Sequence, residues 1–125
     1  MSRPIILLVD DDPAVRYSIA FALGIEGFDV TAFESAETML ASEAEGPRAC
    51  IVLDQRLPGM DGVSLLGRLR SNGERAPAII ITSNPSQRFR QRVREAGAQL
   101  VEKPLLCDEL ALAVQKIVSG AEIVP

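Results

Sequence analysis

The sequence predicts an α/β domain, a parallel five-stranded sheet with helices on both faces. Three observations predict it. Short apolar runs alternate with helical patterns along the whole chain. The runs Ile5-Ile6-Leu7-Leu8-Val9, Cys50-Ile51-Val52-Leu53 and Ala78-Ile79-Ile80-Ile81 are unbroken, as strands buried on both faces require. The runs end in chemistry-bearing residues: Asp10-Asp11-Asp12, Asp54, Thr82 and Lys103. Strands joined by helical crossovers lie parallel. Their C-terminal ends then share one edge, where open α/β sheets bind ligands.

The elements follow in order. The first strand is expected at about 4–9. Asp12 is a suitable N-cap for the first helix, with Pro13 at its first position. Val15, Ile19, Ala22 and Leu23 form its apolar stripe, and Gly24 and Gly27 weaken and end it. Phe28 to Phe33 alternates and reads as the second strand. Ser35 can cap a helix over 36–43. The third strand covers 49–53. Asp61 can cap the third helix, whose inner face is Val63, Leu65, Leu66 and Leu69. The fourth strand covers 78–82. The fourth helix, 86–96, turns Phe89, Val93 and Ala96 inward. The fifth strand covers 99–102, and the fifth helix, 107–119, buries Leu110, Val114, Ile117 and Val118. The periodicity alone does not give the strand order.

Composition narrows the function. A chain of 125 residues, 47% apolar and 24% charged, is one domain able to bury a core. Residues 1–119 are read as that domain, and 120–125 as a tail or the start of a linker. A net charge of −4 argues against direct nucleic-acid binding by this domain. There is no stretch of transmembrane length, so no membrane role is expected and the cytoplasm is the default compartment. The chain has no histidine, so any catalysis must use carboxylates, Lys, hydroxyls or a metal. Cys50 and Cys107 are expected at opposite edges of the sheet, about 15–20 Å apart at the strand rise. A disulfide needs Cα atoms within about 7 Å, so two free thiols are expected.

Converging Asp10, Asp11 and Asp54 place three negative charges in one pocket, where each disfavours ionisation of the others. A hard divalent cation resolves the conflict. Mg²⁺ takes one or two carboxylates, keeps waters and bridges to phosphate oxygens. Lys103 adds a cation and Thr82 a hydroxyl. Such a pocket suits a phosphoryl group. A carboxylate aimed at phosphorus can act as nucleophile and become an acyl phosphate, and Asp54 is the candidate. Taken singly, each residue has a plainer role. Asp12 and Asp61 are helix caps, Thr82 a strand-end threonine, Lys103 a solvated lysine. The case rests on their sharing one sheet edge.

With these residues placed, the chain resembles the receiver domain of two-component response regulators over about residues 4–119. The motifs are Asp10-Asp11 after the first strand, Asp54 followed by Leu57-Pro58-Gly59-Met60-Asp61-Gly62, Thr82, and Lys103-Pro104. The run Val9-Asp10-Asp11-Asp12-Pro13-Ala14-Val15-Arg16 is similar to receivers of nitrogen-fixation-type regulators. The resemblance implies a flavodoxin-like fold of strand order 2-1-3-4-5 and phosphorylation of Asp54. The donor would be the phosphohistidine of a sensor histidine kinase or histidine phosphotransfer protein. It implies Mg²⁺ bound by Asp11, Asp54 and the main-chain carbonyl of Arg56, with Asp10 acting through metal-bound water. Lys103 would pair with the acceptor carboxylate or phosphoryl group, and Pro104 would follow a cis peptide. Thr82 would act as a switch residue.

Three departures stand out. Leu100 occupies the switch position, three before Lys103, where Tyr or Phe is usual, so coupling from site to surface should be weaker. Arg56 and Asn84 occupy positions that tune phosphoryl lifetime in the family. Leu105 replaces a common Phe. Arg88, Arg90, Arg92 and Arg94 on the fourth helix read either as a solvated face or as a partner surface, since Asp108 and Glu109 open the fifth. For the second reading the resemblance implies a homodimer through helix 4, strand 5 and helix 5. Two other classes compete. A haloacid-dehalogenase-like phosphatase also combines Asp, Thr and Lys around Mg²⁺, but Pro13 breaks its motif. A flavodoxin-like cofactor binder would meet three repelling aspartates. A receiver fold that no longer switches also remains open, because of Leu100.

Overall fold

Four helices begin where a short polar side chain takes up orphan N–H groups. In the computed structural model, which describes residues 3–42, 48–103 and 109–119, the Asp12 carboxylate accepts from the amide of Ala14 at 2.9 Å. Ser35 and Thr38 bond reciprocally in a capping box. Asp61 accepts from Ser64 N at 2.8 Å, and Ser86 from Phe89 N at 3.0 Å. Each cap stabilises its helix by about 0.5–2 kcal/mol. The elements are β1 (Ile5–Val9), α1 (Pro13–Ile25), β2 (Asp29–Phe33), α2 (Ala36–Ala41), β3 (Arg48–Asp54), α3 (Gly62–Ser71), β4 (Ala78–Ser83), α4 (Gln87–Glu95), β5 (Gln99–Lys103) and α5 (Glu109–Ser119). Expectations for Pro104, Leu105, Cys107, Asp108 and residues 120–125 lie outside the described residues.

The sheet is parallel, in the order β2-β1-β3-β4-β5. Side chains alternate across it and build two cores. Ile6, Leu8, Cys50, Val52, Ile79, Ile81 and Val101 face α1 and α5. Leu7, Val9, Ile51, Leu53 and Ile80 face α2, α3 and α4. This two-sided burial is why the central strands are apolar at every position. Cys50 lies inside the first core as a free thiol, its pKa pushed up to about 12 by desolvation.

The structure corrects several local expectations. α1 buries Ile19 and Leu23, with Val15 and Ala20 packed beside them, whereas Ala22 is exposed. The buried arc turns toward Ala20, and Gly27, at φ +97°, ends the turn into β2. β2 does not alternate cleanly, since Thr31 and Ala32 are both exposed. It is an edge strand bonded only to β1, so its outer half needs no apolar pattern. α2 stops at Ala41, and Ser86 is a cap rather than the first residue of α4. Asp54 and Lys103 are the last residues of their strands, not residues beyond them, and Thr82 lies within β4 as expected, with Ser83 extending the strand by one residue.

Candidate functional site

Strand register brings the polar ends together. Val9 pairs with Leu53, so Asp10 and Asp54 leave the two central strands side by side. Asp54 pairs with Ile81, and Ser83 with Lys103, which carries the edge across to Thr82 and the lysine. Ligand oxygens of Asp10, Asp11 and Asp54 lie within 4.8 Å of one another. Lys103 Nζ is 3.1 Å from Asp54 Oδ1 and 3.9 Å from Asp10 Oδ2. Asp10 is fully buried and Asp54 only 3% exposed, whereas Asp11 opens to solvent. Thr82, Arg56 and Asn84 line the same open groove as Asp11, with Pro58, Pro85 and Phe89 further along it. The structure thus gathers the expected acids, Lys103 and Thr82 at one place. Arg56 is exposed, and Asn84 adopts the left-handed region at φ +46°.

The acidic loop is braced by groups whose roles the pattern of apolar runs did not reveal. The amide of Asp12 donates to Asp10 Oδ1 at 2.9 Å. Arg16, one turn into α1, donates from Nη1 to the Asp10 carbonyl at 2.7 Å. The 3.6-residue repeat that returns Arg16 over the preceding loop is visible in the sequence, but its partner is a main-chain oxygen with no sequence signature. Asp61, beyond capping α3, faces Arg92 of α4 at 3.6 Å. Burial raises the Asp61 pKa, but the Ser64 hydrogen bonds, Arg92 and Gln55 outweigh it and hold the carboxyl below its usual range.

Asp10 shows what kind of ion the site fits. Burial pushes its pKa up, and the charges of Asp54 and Asp11 push the same way, against the Asp12 amide and Lys103. Its Oδ2 is buried and has no hydrogen-bond partner among the described residues. A buried, orphaned oxygen in a cluster of hard carboxylate donors fits a hard divalent cation, because oxygen-only ligands suit Mg²⁺, Ca²⁺ or Mn²⁺. One lysine does not balance three carboxylates. The acidic cluster can therefore hold a metal ion.

A doubly wound sheet of this order, with acids, a hydroxyl and a lysine on its C-terminal edge, defines a flavodoxin-like domain with a pocket suited to a phosphoryl group. The profile of the response regulator receiver domain matches residues 6–115. FixJ, a transcriptional regulatory protein of Bradyrhizobium diazoefficiens, is 33% identical over 118 residues, covering 94% of this chain and 58% of the relative. The DNA-binding transcriptional regulator NtrC of Salmonella typhimurium is 32% identical over 120 residues, covering 95% of this chain and 26% of its own length. Among solved structures, the receiver domain of the Francisella response regulator 1452 superposes with a TM-score of 0.86 at 27% identity, over 95% of this chain and 99% of that one. Full-length FixJ from B. japonicum superposes at 0.84 with 32% identity, over 98% of this chain and 61% of that one. The chain belongs to the response regulator receiver domain family of two-component signalling, and its acidic cluster fits a phosphoacceptor site. It spans little more than half of the FixJ relative and about a quarter of NtrC. The phosphatase and cofactor-binding readings give way to this assignment.

Proposed function

We propose that Asp54 accepts a phosphoryl group from the phosphohistidine of a sensor histidine kinase or phosphotransfer protein, with Mg²⁺ as cofactor, in the cytoplasm. The ion pair between Lys103 Nζ and Asp54 Oδ1, at 3.1 Å inside a three-carboxylate cluster, carries the reading. A carboxylate oxygen of Asp54 bonds to phosphorus, the P–N bond breaks, and its electron pair returns to the imidazole. Lys103 neutralises charge on the acceptor and then on the phosphoryl oxygens. Thr82 offers a hydroxyl to the same group. Asp10, Asp11, Asp54 and the main-chain carbonyl of Arg56 would hold Mg²⁺, which supplies Lewis-acid stabilisation of the transferring group. Acetyl phosphate with Mg²⁺ should give one acid-stable, base-labile phosphoryl group per chain. Sustained turnover of a generic phosphomonoester would instead mark a phosphatase.

The donor's approach is supported by α1. Tyr17, Phe21 and Ile25 are 76%, 72% and 69% exposed and recur every four residues, so they form one stripe. The helix's only charged residue, Arg16, is used on the Asp10 carbonyl, so the outward face is uncharged. That face lies on the helix that starts directly after the acidic loop, and we seat the phosphohistidine-bearing partner against it. Phe21→Asp should slow transfer from a histidine kinase that phosphorylates the wild type by at least about tenfold, the cost of a modest interface anchor. Labelling by acetyl phosphate should be unchanged. Equal loss with both donors would overturn this placement.

For output we propose α4, β5 and α5, with homodimer formation through that surface. Arg90 already pairs with Glu102 of β5 at 2.6 Å, which ties α4 to the strand. Leu100 is half-buried and packs against the second core, and a leucine there offers no aromatic ring to swing. The response should therefore run through Thr82, the 83–86 loop and α4. Hydrogen exchange should change on phosphorylation mainly in residues 82–90 and little around Leu100. Leu100→Tyr should enlarge the change at β5 without altering labelling. A large wild-type change at β5 would show leucine to be an adequate switch.

A further inference from the structure

Gln55 is the residue next to the acceptor, and it is fastened on every side. Its N–H donates to the Ile81 carbonyl of β4 at 2.9 Å. Its carbonyl accepts from Gly62 N at 3.1 Å. Its side-chain Oε1 accepts from Val63 N, also at 3.1 Å. One residue thus joins the exit of β3 to the first turn of α3. Gly62 shows how close that junction is, because a Cβ there would lie 2.7 Å from the Asp54 carbonyl oxygen and 3.1 Å from the Gln55 Cα. Residues 56–60 form the loop between these clipped ends, and Leu57 and Met60 pack it onto the second core. Among the described residues, the hydrogen bond of the Gln55 side chain is the one that closes this loop.

We propose that Gln55 is a positioning residue for metal binding, fixing the loop that presents the Arg56 main-chain carbonyl beside Asp11 and Asp54. The inference rests on the metal reading given above. A main-chain oxygen cannot be oriented by its own side chain, only by what holds the backbone on either side. Gln55 holds both sides, through its own peptide and through α3. Groups that orient ligands in this way typically alter metal affinity by about 10–100-fold when removed. A plain helix-capping role predicts lost stability with no such change.

The test uses Gln55→Met, which keeps length and loses the side-chain hydrogen bond to Val63, and Mn²⁺ as the probe, read by its electron paramagnetic resonance. Ser35→Ala, which removes the cap of α2 far from the pocket, controls for stability. Gln55→Met should raise the Mn²⁺ dissociation constant about tenfold, while Ser35→Ala leaves it unchanged at a comparable fall in unfolding midpoint. Acetyl-phosphate labelling of Gln55→Met should be slow at limiting metal and recover at saturating metal. Gln55→Asn, which withdraws the amide by one methylene, should shift affinity the same way by less, and it serves if the methionine variant does not fold. Wild-type Mn²⁺ affinity in a folded Gln55 variant would overturn the positioning role while leaving the metal site standing. Absence of Mn²⁺ binding by the wild type would overturn the metal reading and the inference with it.

Discussion

Acetyl phosphate and Mg²⁺ should label the wild type to one phosphoryl group per chain and leave Asp54→Asn unlabelled. The expected loss is complete, because the substitution removes the nucleophile itself. Asn keeps the shape and lacks the anionic oxygen. Neither neighbouring acid can replace it. Asp10 is fully buried, and its Oδ1 is taken by the Asp12 amide. Asp11 is exposed and makes no ion pair within 4.0 Å among the described residues, whereas Lys103 lies 3.1 Å from Asp54. The label should survive acid and be lost in mild base, as an acyl phosphate is. Phosphopeptide mapping decides the matter. Undiminished labelling of Asp54→Asn would sink the assignment, unless the label had moved to a hydroxyl such as Thr82.

Much of this site could be read from the sequence because burial on both faces forces an abrupt change of residue type. Ile51, Val52 and Leu53 are all inside, so the first polar residue, Asp54, marks the edge. Asp12, Ser35 and Asp61 were legible as caps for a local reason, since each serves amides two or three residues away. α1 was harder. Val15, Ile19 and Leu23 repeat at four residues, and so do Tyr17, Phe21 and Ile25. Periodicity cannot rank two apolar stripes on one helix. Only packing against β1 and β2 buries the first and leaves the second in solvent. Gln55 was missed altogether. Its partners are main-chain amides of α3, eight residues on in the case of Val63, and their meeting depends on how the loop folds back.

Asp10→Asn should make the metal-free protein more stable and the metal-loaded protein less distinct from wild type. The physical reason is the cost of a buried charge. Asp10 carries its raised pKa chiefly from burial, with Asp54 and Asp11 adding to it. A carboxyl whose folded pKa lies above its unfolded value favours folding only while protonated. Its ionisation costs the native state nothing below the unfolded pKa. The cost grows as pH rises toward the folded pKa and is complete above it. At pH 7 the substitution therefore relieves a penalty, and near pH 4 the two proteins should converge. An unsatisfied buried polar group costs about 1–3 kcal/mol, more when charged, and Oδ2 is such a group among the described residues. A gain of about 1–3 kcal/mol raises the midpoint by roughly 3–6 °C per kcal/mol in a domain of this size. Bound Mg²⁺ should reverse the balance. Wild type gains about 1–3 kcal/mol at tens to hundreds of times its dissociation constant, and the variant, with one acid fewer, gains less. Calorimetry with and without Mg²⁺, at pH 7 and pH 4, measures all four terms. If metal-free Asp10→Asn melts at or below wild type at pH 7, the Asp10 charge is not a penalty, and the strain that argues for a cation here is absent.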